Sequence, residues 1–327
     1  MDNENVEPIK APYLSVVVPL YFEESCIGEF VKQLGAVLRE IPQSHEVIFV
    51  DDGSTDQTIP LLEGLIEANA DLTIGVVVLA HNHGKPAALM AGIEHARGEA
   101  VLCMDPDLQD PPKHIPQFIA KLEEGYDLVY GVLEQKQASW MTRMLSRGFY
   151  WFLEIAAGLT YPQPLSTMRI FSRAFVREFL RYREVNRFME GILHRVGMRQ
   201  THIMVPHAER FAGTSKFTLR RRLALAFSAI VDFSDLPLRI ALRFGAVMVV
   251  CSFMTVIGLV AAKWSGYQFD LGWPSIVALI LFTGGVNLLF LGFIGAYVGR
   301  CYQESKRRPI YSVQRRVGLE EPPCPGS

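Results

Sequence analysis

The feature that most limits what this chain can become is an alternation. Short aliphatic, β-branched runs, Leu14–Leu20, Glu46–Val50, Thr73–Leu79 and Val101–Met104, are separated by stretches with helical spacing. The first such stretch places Ile27, Phe30, Val31, Leu34 and Leu38 on one helical face. A strand that is apolar at every position, not every second one, is buried on both faces. Such strands alternating with helices make a mainly parallel sheet covered on both sides, so the expected fold class is α/β. Leu128–Val132 reads as a further strand.

Two of these runs end in acids. The second is followed by DDGSTD, Asp51–Asp56, and the fourth by DPDLQD, Asp105–Asp110. Parallel strands point their carboxyl ends the same way, so both sets line one crevice, at the edge where open α/β sheets bind ligands. Asp105 and Asp107 are two apart, with Gln109 close behind. Oxygen ligands at that density suit Mg²⁺ or Mn²⁺ shared with substrate phosphates. One set would grip a nucleoside, the other the metal and a diphosphate. An isolated DxD is more often an acidic turn before a helix, here with Pro111 and Pro112 in the first turn. Asp56 or Ser54 can cap the helix after the second strand. No GxGxxG follows the first strand, against a dinucleotide fold, and no GKS or GKT box marks a Walker-type site.

Half of the 327 residues are apolar, which points to a membrane part, and the net charge of -2 suggests no nucleic-acid partner. The five cysteines are scattered without a CxxC, so neither a disulfide framework nor a zinc site is expected. Phe244–Ala262 and Pro274–Gly299 carry no charge and are each long enough to cross a bilayer. The link between them holds Trp264, Tyr267 and Trp273, residues that favour the membrane interface. Arg220, Arg221, Arg222, Arg239 and Arg243 precede this hairpin, and Arg300, Lys306, Arg307 and Arg308 follow it. The positive-inside rule then puts both chain ends in the cytoplasm and makes the chain a multi-pass protein of the cytoplasmic membrane. Gly284, Gly285, Gly292, Gly295 and Gly299 give the second helix a small-residue face, for the first helix or for another subunit of a homo-oligomer.

Two other stretches stay open between readings. Ala138–Leu159 has an aromatic stripe with Arg143 and Arg147, fit either for a membrane interface or for packing on the sheet. Glu209–Leu223, ERFAGTSKFTLRRRL, fits phosphate oxygens as well as it fits a solvated basic loop or a juxtamembrane anchor. The expected organisation is a lead-in over 1–12, a catalytic domain over 13–218, a juxtamembrane segment over 219–238, the hairpin within 239–300 and a tail over 301–327. Past Arg316 the tail reads as disordered.

Taken in order, VVVPLYFEE, VDDGSTD, HNHGKPAALMAG, MDPDLQDPP, ERFAGTSKF and a C-terminal helix hairpin resemble the polyisoprenyl-phosphate glycosyltransferases. Those are inverting family-2 enzymes with a GT-A fold, such as dolichyl-phosphate mannose synthase and bacterial undecaprenyl-phosphate glucosyltransferases. The likeness covers roughly residues 13–312 and speaks to fold and reaction more than to the sugar. It implies a UDP- or GDP-linked sugar donor, UDP-glucose by analogy with the commoner bacterial relatives, and a polyprenyl phosphate acceptor in the lipid. It implies that Pro19, Tyr21, Glu23, Val50 and Asp52 hold the nucleoside, with Asp105, Pro106 and Asp107 beside the donor. Asp105, Asp107 and Gln109 would bind the metal, and Arg169, Arg210 and Lys216 would meet phosphate, with Ser215 assisting.

The departures from that pattern are specific. Pro106 stands where relatives usually have Ala, Phe22 where they usually have Asn, and Leu133 about where they have Arg, with Lys136 nearby. In LSTMRIFSR, Leu165–Arg173, Thr167 takes the place of an Asp proposed to take part in catalysis, while Arg169 keeps the Arg. Threonine is no general base at neutral pH, but a lipid phosphate is already anionic and needs none. A different lipid acceptor, or a non-catalytic nucleotide-sugar-binding scaffold, are the alternatives. A processive polysaccharide synthase would carry a QxxRW motif, and none occurs.

Overall fold

The computed structural model describes residues 11–133, 165–184, 189–206, 236–266 and 272–319. They fall into two compact units. The first holds the sheet and includes 309–319; the second holds the long helices up to Arg308.

The first unit runs β1 (Leu14–Leu20), α1 (Ile27–Glu40), β2 (His45–Asp51), α2 (Thr58–Ala68), β3 (Ile74–Leu79), α3 (Lys85–His95) and β4 (Ala100–Cys103). It continues through α4 (Ile115–Glu123), β5 (Leu128–Leu133), β6 (Leu165–Ser172), α5 (Arg173–Phe179), α6 (Met189–Val196) and β7 (Gln200–Val205). The eight-stranded order is β7-β5-β6-β4-β1-β2-β3-β8, β8 being Val313–Val317. Strands β3, β2, β1 and β4 are parallel, as their unbroken apolar runs require. β6 is antiparallel to both of its neighbours, so the sheet is mixed at that end.

All seven residues of β1 are buried, because helices cover both faces. On one face α1 contributes Ile27, Phe30, Val31, Leu34 and Leu38, the periodic set expected from the sequence. On the other, α3 lies close against the strands. A Cβ on Gly92 would stand 2.3 Å from a Val17 methyl, so only glycine allows the approach.

β1 passes to β2 on one side, while β4 pairs with its other side. This is the topological switch point, where α/β sheets open a crevice at their carboxyl ends. Register sets what faces it. β1 and β2 end level, Leu20 opposite Asp51, and Asp52 N–H donates to Leu20 O at 2.9 Å. Cys103 pairs with Val17, so the loop bearing Asp105 leaves the sheet beside the last residues of β1.

One expectation is corrected in part. Val313–Val317 is an edge strand: Val76 pairs with Val317, Val77 with Arg316 and Val78 with Arg315. Of the tail past Arg316 that was expected to be disordered, 317–319 are ordered and 320–327 lie outside the described residues. Leu319 then packs over Gly75, where an added Cβ would sit 2.3 Å from its Cγ. An apolar strand edge left bare would invite intermolecular pairing, and the tail covers it.

In the second unit, α7 (Leu236–Trp264) and α8 (Trp273–Ser305) contain the two uncharged runs. Many of their described apolar side chains are exposed: Phe253 is 68% exposed and Leu288 71%. Among the described residues one stretch, Phe282–Ser305, is apolar and long enough to cross a membrane; Arg243–Thr255 is a shorter apolar run. The rings of Phe244 and Phe290 meet at 6.1 Å. Among the described side chains, a Cβ added at Gly284, Gly285, Gly292, Gly295 or Gly299 would meet nothing within 4 Å. The aromatic stripe of Ala138–Leu159 lies outside the described residues.

Candidate active site

A cleft of about 210 Å³ opens at the switch point. The end of β1 lines it with Pro19, Leu20, Tyr21 and Glu23, and the loop after β4 with Asp105, Pro106 and Asp107. Asp52 comes from the end of β2, and Asn82, Gly84, Lys85 and Ala88 from the start of α3. The acids after the first, second and fourth strands therefore reach one cavity.

The two acidic motifs are held differently. Asp52 is buried, and both of its oxygens accept main-chain bonds, from His83 N–H at 2.7 Å and Gly84 N–H at 2.8 Å. Burial lifts its carboxyl above the ordinary range, and those two N–H groups pull the other way. Asp51 is also lifted by burial, opposed by the bond from Ser54 N–H at 2.9 Å. Between this turn and the next loop the contact is tight. Gly53 has φ 74, and a Cβ there would sit 2.7 Å from the His81 carbonyl carbon. DDGSTD thus shapes the loop that leads into α3. Neither suggested residue is the N-cap of α2, which is Gln57 without a side-chain cap bond. Asp56, one residue earlier, accepts from Thr58 N–H at 3.1 Å, and the Ser54 hydroxyl accepts from Phe22 N–H at 3.0 Å.

Asp105 and Asp107, by contrast, are only partly buried. Asp105 takes the Lys85 ammonium at 2.6 Å, and Asp107 accepts from Gln109 N–H at 3.2 Å. Leu108, between Asp107 and Gln109, has φ 59, a left-handed conformation unusual for a branched side chain, which turns the loop sharply back. Glu23 accepts the Cys26 thiol at 3.0 Å; burial, then that bond, push the thiol well above its usual range.

Two carboxylates opening on one cleft suit Mg²⁺ or Mn²⁺, which are commonly held by one or two carboxylates with phosphate and water completing the shell. Among the described residues no set of three or more His, Cys, Asp or Glu side chains converges as a metal site. The fit therefore rests on Asp105 and Asp107, and Gln109 is not among the residues lining the cleft.

The remaining expected residues are spread more widely. Val50 is fully buried in the core and its side chain does not line the cleft. Arg169 lies on β6 opposite Cys103, where its charge works against the burial that pushes that thiol up to about 12. It too is not part of the cleft lining. Arg210, Ser215 and Lys216 lie outside the described residues, as does Lys136.

Thr167 is not isolated from acid. Its hydroxyl donates to Asp110 Oδ2 at 2.8 Å and its main-chain N–H to the same atom at 3.0 Å. The Ser166 hydroxyl adds a third bond at 2.7 Å. The last acid of DPDLQD is thus tied to the β6 position that Thr167 occupies.

Two contributors were missed from sequence. Lys85 stands at the start of α3 after Gly84, whose φ is 90. A glycine turn, a lysine and a helix start form a phosphate-binding signal, present in HNHGKP. Asn82, from the same motif, joins it in the cleft.

A family model described as "Glycosyl transferase family 2" matches residues 15–183. "Uncharacterized glycosyltransferase YkcC" of Bacillus subtilis is 34% identical over 307 residues, covering 94% of both chains. "Undecaprenyl-phosphate 4-deoxy-4-formamido-L-arabinose transferase" of Serratia proteamaculans is 33% identical over 324 residues, covering 97% of both. Among solved structures, glucosyl-3-phosphoglycerate synthase from Mycobacterium tuberculosis in complex with Mn²⁺ and UDP is 21% identical. It aligns over 67% of this chain and 78% of its own with a TM-score of 0.48.

Proposed function

This chain belongs to glycosyl transferase family 2, and from that we propose that it moves a sugar from a nucleotide-sugar to a polyprenyl phosphate, with inversion. The observation that carries the reading is the shared cleft at the ends of β1, β2 and β4. The Serratia relative, similar over nearly its whole length, is named for an undecaprenyl-phosphate acceptor.

In this reading Tyr21 and Glu23 hold the nucleoside at the mouth of the cleft, and Asp52 keeps the His83–Gly84 loop in place beside it. Asp105 and Asp107 would hold Mg²⁺ or Mn²⁺, which when bound would neutralise the donor diphosphate and favour its departure. Lys85, at the positive end of α3, offers a second cation to the same phosphates. An oxygen of the acceptor phosphate attacks the anomeric carbon. The bond from that carbon to the diphosphate breaks, and the nucleoside diphosphate leaves with the electron pair. The attacking oxygen is already anionic, so no residue has to remove a proton from it. That makes Thr167 compatible with turnover. Catalysis then rests on positioning and on charge stabilisation. Arg169, Arg210 and Lys216 are assigned to the acceptor phosphate.

We assign α7 and α8 to a transmembrane hairpin of the cytoplasmic membrane, with the sheet on the cytoplasmic side. Exposed apolar side chains in both helices support this. Anchoring there would bring the cleft within reach of a lipid phosphate. The donor is UDP- or GDP-linked; UDP-glucose and the sugar named in the Serratia relative are the first to try.

The test is purified full-length protein with labelled nucleotide-sugars and undecaprenyl phosphate, with Mg²⁺ or Mn²⁺ and with chelator. A lipid-linked sugar formed only with the metal is the expected result. Nucleotide binding without any lipid product would favour the scaffold reading instead.

A further inference from the structure

We propose that the C-terminal segment Tyr311–Val317 is a positioning element of the nucleotide site, acting through Ser312 on His83. This rests on the donor cleft proposed above.

The segment follows the last turn of α8 and returns to the sheet unit. Ser312 is its point of contact with the cleft loop. Its carbonyl accepts Ala80 N–H at 2.8 Å, and its N–H donates to His83 Nε2 at 3.3 Å. Its hydroxyl lies 3.2 Å from the same nitrogen. An Nε2 that accepts an N–H leaves the proton of a neutral imidazole on Nδ1. Burial, and then His81, lower the pKa of His83, in keeping with that form. The main chain of the same histidine donates to Asp52, and Gly84 beside it does likewise. Ser312 therefore holds the imidazole of the residue whose amide Asp52 holds, and Asn82, Gly84 and Lys85 on either side line the cleft.

The far end of α3 is tied down by the same segment. The Tyr311 hydroxyl donates to Glu94, and Arg316 Nε meets His95 Nε2 at 3.1 Å. Arg315 pairs with Glu63 of α2 at 2.7 Å. An edge strand needed only to cover β3 would require the ladder alone. These side-chain bonds reach both ends of the helix that carries Lys85.

The measurement is calorimetric binding of UDP and of GDP, with Mn²⁺, to the full-length protein and to Ser312→Ala and Ser312→Thr. Ser312→Ala keeps the ladder and removes the hydroxyl. It should weaken nucleotide binding about fivefold, the worth of one lost hydrogen bond. Melting temperature should hold within a few degrees, and Ser312→Thr should restore the affinity. In turnover the donor KM should rise while kcat and the lipid KM stay. His83→Phe, which leaves the main-chain bonds possible but removes Nε2, should reproduce the donor effect. Nucleotide affinity unchanged in both Ser312→Ala and His83→Phe would overturn the proposal. Failure of the wild-type protein to bind either nucleotide would overturn the donor site itself, and this inference with it.

Discussion

DDGSTD and DPDLQD look alike in sequence and do different work. Both are acidic runs at the end of a parallel strand, and both reach the same cleft. Yet Asp51 and Asp52 are buried and bonded to main-chain N–H groups, while Asp105 and Asp107 stay open to the cleft. Burying a carboxylate costs free energy unless donors replace its water, and donors that do so also fix the loop that carries them. The first motif therefore fixes the His83–Gly84 loop that leads to Lys85 in the cleft. Asp110, the last acid of the second motif, belongs with the scaffold: it is buried and ties the loop to β6.

The largest expected effect separates chemistry from scaffold. Asp105→Asn and Asp107→Asn should each lower kcat for lipid-linked sugar by about 100-fold or more, as for other lost charge-stabilising groups. Their melting temperatures should stay near the wild-type value. An equal loss of activity and of folding in these variants would erase the distinction.

Next come the buried acids. Asp110→Ala strips the acceptor from three donors, and Asp52→Ala from two, so each should lose about 1–3 kcal/mol of stability in denaturant unfolding. Thr167→Val, which removes one of those donors, should lose only about 1 kcal/mol. A larger effect for Thr167→Val than for Asp110→Ala would show that the hydroxyl has another partner.

A pH series sharpens the same contrast. The folded pKa values of Asp51 and Asp52 lie above the ordinary 3.8. A raised carboxyl pKa means that the folded state binds the proton more tightly than the unfolded chain does. Its contribution is most favourable at low pH and is lost as pH rises through 3.8 toward the raised value. Melts from acid to neutral pH should show Asp51→Asn gaining on the wild type as pH rises. Parallel curves would contradict the assignment.

The smallest effect concerns Phe22. Its φ is 57, a region that asparagine enters readily and a bulky aromatic does not. Phe22→Asn should stabilise the protein by about 1 kcal/mol. The departure from the family pattern noted at this position thus has a backbone reading.

The sheet was legible because burial on both faces leaves an unbroken apolar run, as in Leu14–Leu20 and Ile74–Leu79. The shared cleft was legible because parallel strands must present their ends together. What escaped were contacts that span the chain. The Val313–Val317 strand, VQRRV, is polar at its centre because it is an edge, and nothing local says which edge it joins. The Asp110–Thr167 bond joins residues far apart in sequence that become neighbours only when β6 runs antiparallel to β4. Lys85 sits in the HNHGKPAALMAG motif, but its partner Asp105 becomes recognisable only with α3 placed over the sheet.

The central claim is that Asp105 and Asp107 hold a divalent cation together with a nucleoside diphosphate. Titrating UDP and GDP into wild-type and Asp105→Asn protein, with and without Mn²⁺, tests it most directly. The account predicts that Mn²⁺ strengthens binding of one nucleotide to the wild type and that Asp105→Asn loses that gain while retaining metal-free binding. The same Mn²⁺-dependent gain in Asp105→Asn would contradict it.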